Sequence, residues 1–211
     1  MIPFNQSCSS GPRLKEGKIR TLSRENADDD LVLVVGLGQK DRAQESQKEG
    51  HDLLRESVRT AISAGVRSLR DEGIEEILVD DCGDGEAAAE GAYLGLWSFD
   101  FLKAKKDSLK SVAIKPLDDP TLHWTQGVKK AKGQNFARTL METPANHLTP
   151  HLFAKAAKTE LDPLGRVEVV PHDIGWIKEQ KMGSFLSVSQ GSEQDPVFLE
   201  MSYMNGRPGK N

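Results

Sequence analysis

The chain has 211 residues, enough for one ordinary domain and part of a second, and its 37% hydrophobic and 28% charged residues with a mean hydropathy of -0.50 exclude a disordered or membrane-spanning class. Its 28 basic and 32 acidic side chains leave a formal net charge of -4, spread along the sequence, which gives no electrostatic footprint for nucleic acid or an anionic membrane surface. Two cysteines, Cys8 and Cys82, exclude a disulfide framework; with no basic stretch followed by an apolar one near Met1, a cytoplasmic location is expected.

Residues 5–30 are polar, rich in Ser, Asn and Asp, and read as a loosely ordered lead-in. Residues 31–37, from Leu31 to Leu37, form a continuous β-branched run closed by glycine, the pattern of a strand with neighbours on both sides. From about Gln44 the apolar positions Leu54, Val58, Ala61 and Ile62 fall at helical spacing, with Gly65 as the residue that ends the helix. Residues 76–80 predict a second strand, and Asp84 caps a helix carrying Ala89, Ala92, Tyr93, Leu96 and Trp97. Residues 112–114 predict a third strand, stopped by Pro116. Strands alternating with helices imply an α/β layered domain with a mostly parallel sheet between helices.

A long helix is predicted over 122–142, with Trp124, Val128, Ala131, Phe136, Leu140 and Met141 on its apolar stripe, ending at Thr143-Pro144 because the residue before a proline leaves the helical region. Thr149 caps the next helix with Pro150 at its first position, where a missing N–H costs nothing. A strand at 167–170, a short helix at 174–180 and two strand-like runs at 185–188 and 197–203 complete the pattern. The domain plan is a polar leader (1–20), an N-terminal α/β domain (21–120), an interdomain helix and linker (121–146) and the beginning of another domain (147–211).

Several constellations resemble chemical sites and fail on a specific residue. Gly36-x-Gly38 follows a strand as a dinucleotide-binding turn would, but Asp41 occupies the third glycine position and would repel a pyrophosphate, so a strand-ending turn is expected. Asp80-x-Cys82-x-Asp84-Gly85 starts like a calcium loop, then offers soft Cys82 as third ligand and Gly91 where a bidentate Glu belongs, which leaves a loop and helix cap. His147 and His151 have the spacing of two zinc ligands, but Leu148 stands where a metalloprotease helix carries Glu and the Thr149 cap puts His147 outside the helix; surface or capping histidines are expected. Gly91 and Gly95 suit close packing of a soluble helix. Lys103, Lys105, Lys106 and Lys110 alternate with Asp107 as a solvated face. No serine or cysteine is set beside a base, and a redox or metal-storage role has no support.

The block from Gly133 to Pro150, Gly-Gln-Asn-Phe-Ala-Arg-Thr-Leu-Met-Glu-Thr-Pro-Ala-Asn-His-Leu-Thr-Pro, resembles the interdomain helix and linker of the leucyl aminopeptidase family. Val34-Val35-Gly36-Leu37-Gly38, the run from Gly83 to Ala92 and the run from Met182 to Ser192 agree with the same family in order and spacing, so the likeness extends from about Lys18 to Tyr203. The resemblance implies a macro-like N-terminal domain, a long linker helix and the truncated start of an α/β metallopeptidase domain. It also implies a family reaction in which two divalent metals (zinc, manganese or magnesium) activate water to release N-terminal amino acids, leucine preferred, from peptides, in a hexamer of like subunits.

In that family the metal-binding Lys, Asp and Glu and the catalytic Arg follow the strand matched by residues 197–203. No catalytic, metal or cofactor residue is therefore assigned to this chain, and it is expected to bind no cofactor and to be inactive alone, with marginal stability from exposed strand edges and apolar faces. Other aminopeptidase subunits are its expected partners, and peptides are substrates of the complete enzyme; nucleic acid and membrane are not expected. The alternative is a non-catalytic module that binds a nucleotide-like ligand at the carboxyl ends of its strands or modulates the oligomer.

Overall fold

The computed structural model describes residues 14–23, 31–38, 52–104 and 111–204, and the chain divides into two compact units after Arg138. In the first unit β1 (Ile19–Ser23) pairs antiparallel with β2 (Leu31–Val35), Ile19 opposite Val35 and Ser23 opposite Leu31. The lead-in therefore contains a strand, correcting the expectation of loose order: Ile19 and Leu22 are few among polar neighbours, but the five-residue ladder satisfies the backbone in water-exposed surroundings. Among the described residues β2 has β1 as its partner rather than a neighbour on each side, and Val32 is exposed.

Helix α1 (Leu53–Asp71) starts at Asp52, whose carboxylate accepts the Arg55 N–H at 3.1 Å. Gly65 lies buried within this helix rather than at its end, because a Cβ there would stand 3.0 Å from Val35 Cγ2 on β2; the positive φ that terminates the turn belongs to Gly73. Residues 44–51, assigned to the same helix from sequence, lie outside the described residues.

Strand β3 (Glu76–Val79) pairs in parallel with β4 (Ala113–Pro116), and α2 (Gly85–Leu96) lies on the connection between them. Parallel strands require such a crossover. Pro116 is the last residue of β4; the ladder continues past it, with the Leu117 N–H donating to the Val79 C=O at 2.8 Å. Helix α3 (Leu122–Glu142) has the predicted bounds, burying Trp124, Gly127 and Ala131 while Met141 is exposed. Val58 and Val66 of α1, Ile77 and Val79 of β3, the alanines of α2 and Trp124 of α3 make one core. The mixed helix and strand architecture is α/β as expected.

In the second unit α4 (Pro150–Leu161) is capped by Thr149, whose hydroxyl accepts the Leu152 N–H at 3.4 Å, and a 3-10 turn (Asp162–Leu164) leads through Gly165 into β5 (Val167–His172). β5 pairs antiparallel with β6 (Phe198–Tyr203). Between them lie α5 (Ile174–Glu179), capped by Asp173, and α6 (Gly183–Ser189). The run 185–188 is thus helical, not a strand. The Ser187 and Ser189 hydroxyls bond to the carbonyls of Ser184 and Leu186 within the helix, and Phe185 is spent edge-on against Phe198 with ring centroids 5.8 Å apart. A four-residue apolar run carries too little period to separate the two states.

Candidate functional site

Because β3 and β4 are parallel, both carboxyl ends open on one edge of the first unit, where an α/β sheet ordinarily places a ligand. The chain leaving β3 carries Asp80, Asp81 and Asp84, and each carboxylate is turned onto its own backbone. Asp80 accepts the Cys82 N–H at 2.7 Å, Asp81 the Gly83 N–H at 2.9 Å and Asp84 the Ala87 N–H at 2.9 Å. Cys82 adopts φ 52°, which this loop of Asx-type bonds holds in place. Burial first, and then Asp80 and Asp81, push the Cys82 thiol up to about 11, so it is a protonated thiol at neutral pH rather than a nucleophile.

The position at the start of α2 that would receive an anion is occupied by Asp84 itself. Thr121 does the same for α3, its hydroxyl accepting the Trp124 N–H at 3.1 Å. This edge is internally satisfied and negatively charged, which disfavours a nucleotide-like ligand there.

Behind the edge lies an ion-pair array that sequence reasoning missed. Arg55 of α1 reaches Asp84 at 2.8 Å through Nε and Glu86 at 2.8 Å through a terminal nitrogen. Lys130 of α3 also pairs with Glu86, and Arg59 of α1 joins Glu90 of α2 to Glu56. Lys130 and then Arg55, by hydrogen bonding, hold the Glu86 carboxyl down at about 2 against the opposing effect of burial, and Glu86 in turn raises Arg55. The signal was present in the sequence: Glu86 and Glu90 are one turn apart inside an alanine-rich, core-facing helix, and buried carboxylates require cations.

The remaining candidates resolve as structural. Gly36 exchanges strand-type bonds, its N–H donating to the Lys18 C=O and its C=O accepting the Gly17 N–H, both at 2.9 Å. Asp41 lies outside the described residues. Gly91 and Gly95 let α2 approach α1, where a Cβ would stand 2.6 Å from the Arg59 carbonyl and 2.8 Å from Ser63 Cα. The His147 N–H donates to the Pro144 C=O at 2.8 Å in the turn before Thr149, and His151 is exposed in the first turn of α4. Lys103 pairs with Asp100 at 2.6 Å; Lys105, Lys106 and Lys110 lie outside the described residues.

Among the described residues no group of three or more His, Cys, Asp or Glu side chains could hold a metal ion, so these residues do not fit the metal pair that the family resemblance implies. Nor is any described helix long and apolar enough to cross a membrane. In the second unit an open groove of about 530 Å³ runs along α4, lined by His151, Lys155, Thr159 and Pro171, with Lys158 tied to Asp162 at 2.9 Å beside it.

The first unit is thus an α/β body and the second a helix-and-ribbon segment, with the division falling inside α3. Residues 7–106 match the N-terminal domain of the cytosol aminopeptidase family and residues 135–211 match that family's catalytic domain. The chain belongs to the cytosol aminopeptidase family.

It is 46% identical over 195 residues to the cytosol aminopeptidase of Bos taurus, covering 92% of this chain and 37% of that protein. It is also 45% identical over 203 residues to that of Homo sapiens, covering 96% and 38%. The chain thus spans little more than a third of these relatives. Two solved structures share the fold: the bottromycin maturation enzyme BotP in complex with Mn (TM-score 0.73, 23% identity, 92% of this chain and 40% of that one) and a tomato leucine aminopeptidase mutant (TM-score 0.69, 20% identity, 93% and 39%).

Proposed function

We propose that this chain is the N-terminal domain, the interdomain helix and the opening of the catalytic domain of a cytosolic metalloaminopeptidase. The complete protein would release N-terminal residues, leucine preferred, from peptides. The observation that carries the reading is the succession of two domain matches from one family, 7–106 before α3 and 135–211 beginning within it, where α3 runs from Leu122 to Glu142. The domain boundaries 1–20, 21–120, 121–146 and 147–211 belong to this proposal, as do a cytoplasmic location and assembly with other aminopeptidase subunits in a hexamer.

Divalent metals enter through the complete enzyme. A neighbour of the same fold binds Mn, and a metal pair would polarise the scissile carbonyl and supply an activated water. No step of that chemistry is assigned to residues 1–211. The resemblance puts the metal-binding Lys, Asp and Glu after the strand that corresponds to β6, and the described residues offer no substitute cluster. On this reading these 211 residues are expected to show no peptidase activity by themselves. Incubating the purified chain with a leucyl amide and manganese should give no hydrolysis above the buffer rate; turnover that a chelator abolishes would refute the inactivity.

A further inference from the structure

Helix α2 ends without a charge of its own to meet its dipole. No basic residue lies in its last turn, and Trp97 leaves it in extended conformation with ψ 135°. The final carbonyls of a helix lack intrahelical donors and carry partial negative charge. Two of them are taken by side chains from another helix. Asn135 of α3 donates through Nδ2 to the Tyr93 C=O at 3.0 Å, and Arg138 of α3 donates to the Leu94 C=O at 3.1 Å. The same terminal nitrogen of Arg138 lies 3.2 Å from Asn135 Oδ1, so the two side chains orient each other. The guanidinium also lies over the Trp97 ring, 4.0 Å from its centroid.

We infer that Asn135, Arg138 and Trp97 form a clamp: α3 caps the C-terminus of α2 from outside, and this fixes the register in which α3 is held on the first unit. Arg138 is the hub. A planar cation can stack on an indole while donating in its own plane; a lysine ammonium offers no plane to match it. The division of the chain into two units falls directly after Arg138, so the clamp sits at the last position of α3 belonging to the first unit. Asn135 and Arg138 are thus positioning residues, which act on how α2 and α3 are held together. That α3 links two domains of an enzyme rests on the proposed function; the capping readout below does not, so the two fail separately.

Amide hydrogen exchange on the 211-residue chain tests the clamp. Arg138→Ala should speed exchange about tenfold in the last turn of α2 and in the segment around residue 138 of α3, with β3, β4 and the middle of α1 unchanged. R138K should fail to restore protection. Trp97→Leu should give the same local pattern, and the double variant should exchange no faster than the R138A single variant, because the stacking that Trp97 supplies is already lost with Arg138. A general fold-stabilising role for Arg138 would instead raise exchange evenly through the first unit, which overturns the clamp, as does unchanged protection at the end of α2 or full rescue by lysine. Should R138A not fold, W97F against W97L reads the contact from the other side: protection kept by phenylalanine and lost with leucine supports it, and equal protection in both overturns it.

Discussion

The two units bury their apolar residues differently. In the first, side chains from α1, β3, α2 and α3 meet in one core, with Ala87, Ala88, Ala89 and Ala92 wholly buried and the charges Glu86 and Glu90 drawn in beside cations. In the second, the fully buried side chains are Val169 and Ile177, while Met201 and Tyr203, opposite Val169 and Val167 on the same face of the β5–β6 ribbon, are exposed. Helix α4 packs on β5, with Ala154 and Ala157 buried, while Phe198 of β6 packs against Trp176 and Phe185. The first unit draws four elements into one shared core, although Leu78 and Phe101 stay exposed; the second leaves Met201 and Tyr203 of its ribbon exposed.

The contrast can be broken or sharpened by substitution. The largest effect belongs to Trp124→Ala, which empties the base of the first core and should cost about 4 kcal/mol. Amide exchange should then accelerate across α1, α2 and β3 and leave residues 150–204 as they were; equal acceleration in both segments would show that the units do not have separate cores. Ile177→Ala, at a wholly buried position of α5, should cost about 3 kcal/mol and act in the opposite direction, loosening β5 and β6 while α1 keeps its protection.

A smaller effect concerns the charges. Glu86 is held down to about 2 in the folded chain, below its unfolded value of about 4.3. A carboxyl depressed on folding stabilises above its unfolded pKa, and that contribution falls away as pH drops from about 4.3 towards 2. Denaturation of the first unit should therefore steepen in that window, and Glu86→Gln, costing about 1 kcal/mol at neutral pH after allowance for the exposure of Lys130, should flatten it. An unaltered acid limb in E86Q would remove the ion-pair array from the account of stability.

Much of this arrangement is legible in the residues. Asp84 and Thr149 announce their helices because each sits immediately before a helical run with a side-chain oxygen three residues from the N–H it accepts. The end of α3 follows from Thr143-Pro144. What escapes is what depends on a partner distant in sequence. β1 is weakly patterned and becomes a strand through pairing with β2. Gly65 looks like a helix end until Val35 is set against it. The Asn135 and Arg138 clamp joins residues more than 40 positions apart, and a local window reads both as surface polar groups on an amphipathic helix. The absence of a catalytic assignment came from family resemblance, since no spacing rule separates a missing metal site from a dispersed one.

Calorimetric titration of the purified 211-residue chain with manganese, followed by zinc, addresses that assignment most directly. The proposed reading predicts heats indistinguishable from dilution, because the family resemblance puts the metal-binding side chains after the strand matched by β6. Saturable uptake of two ions per chain would contradict it.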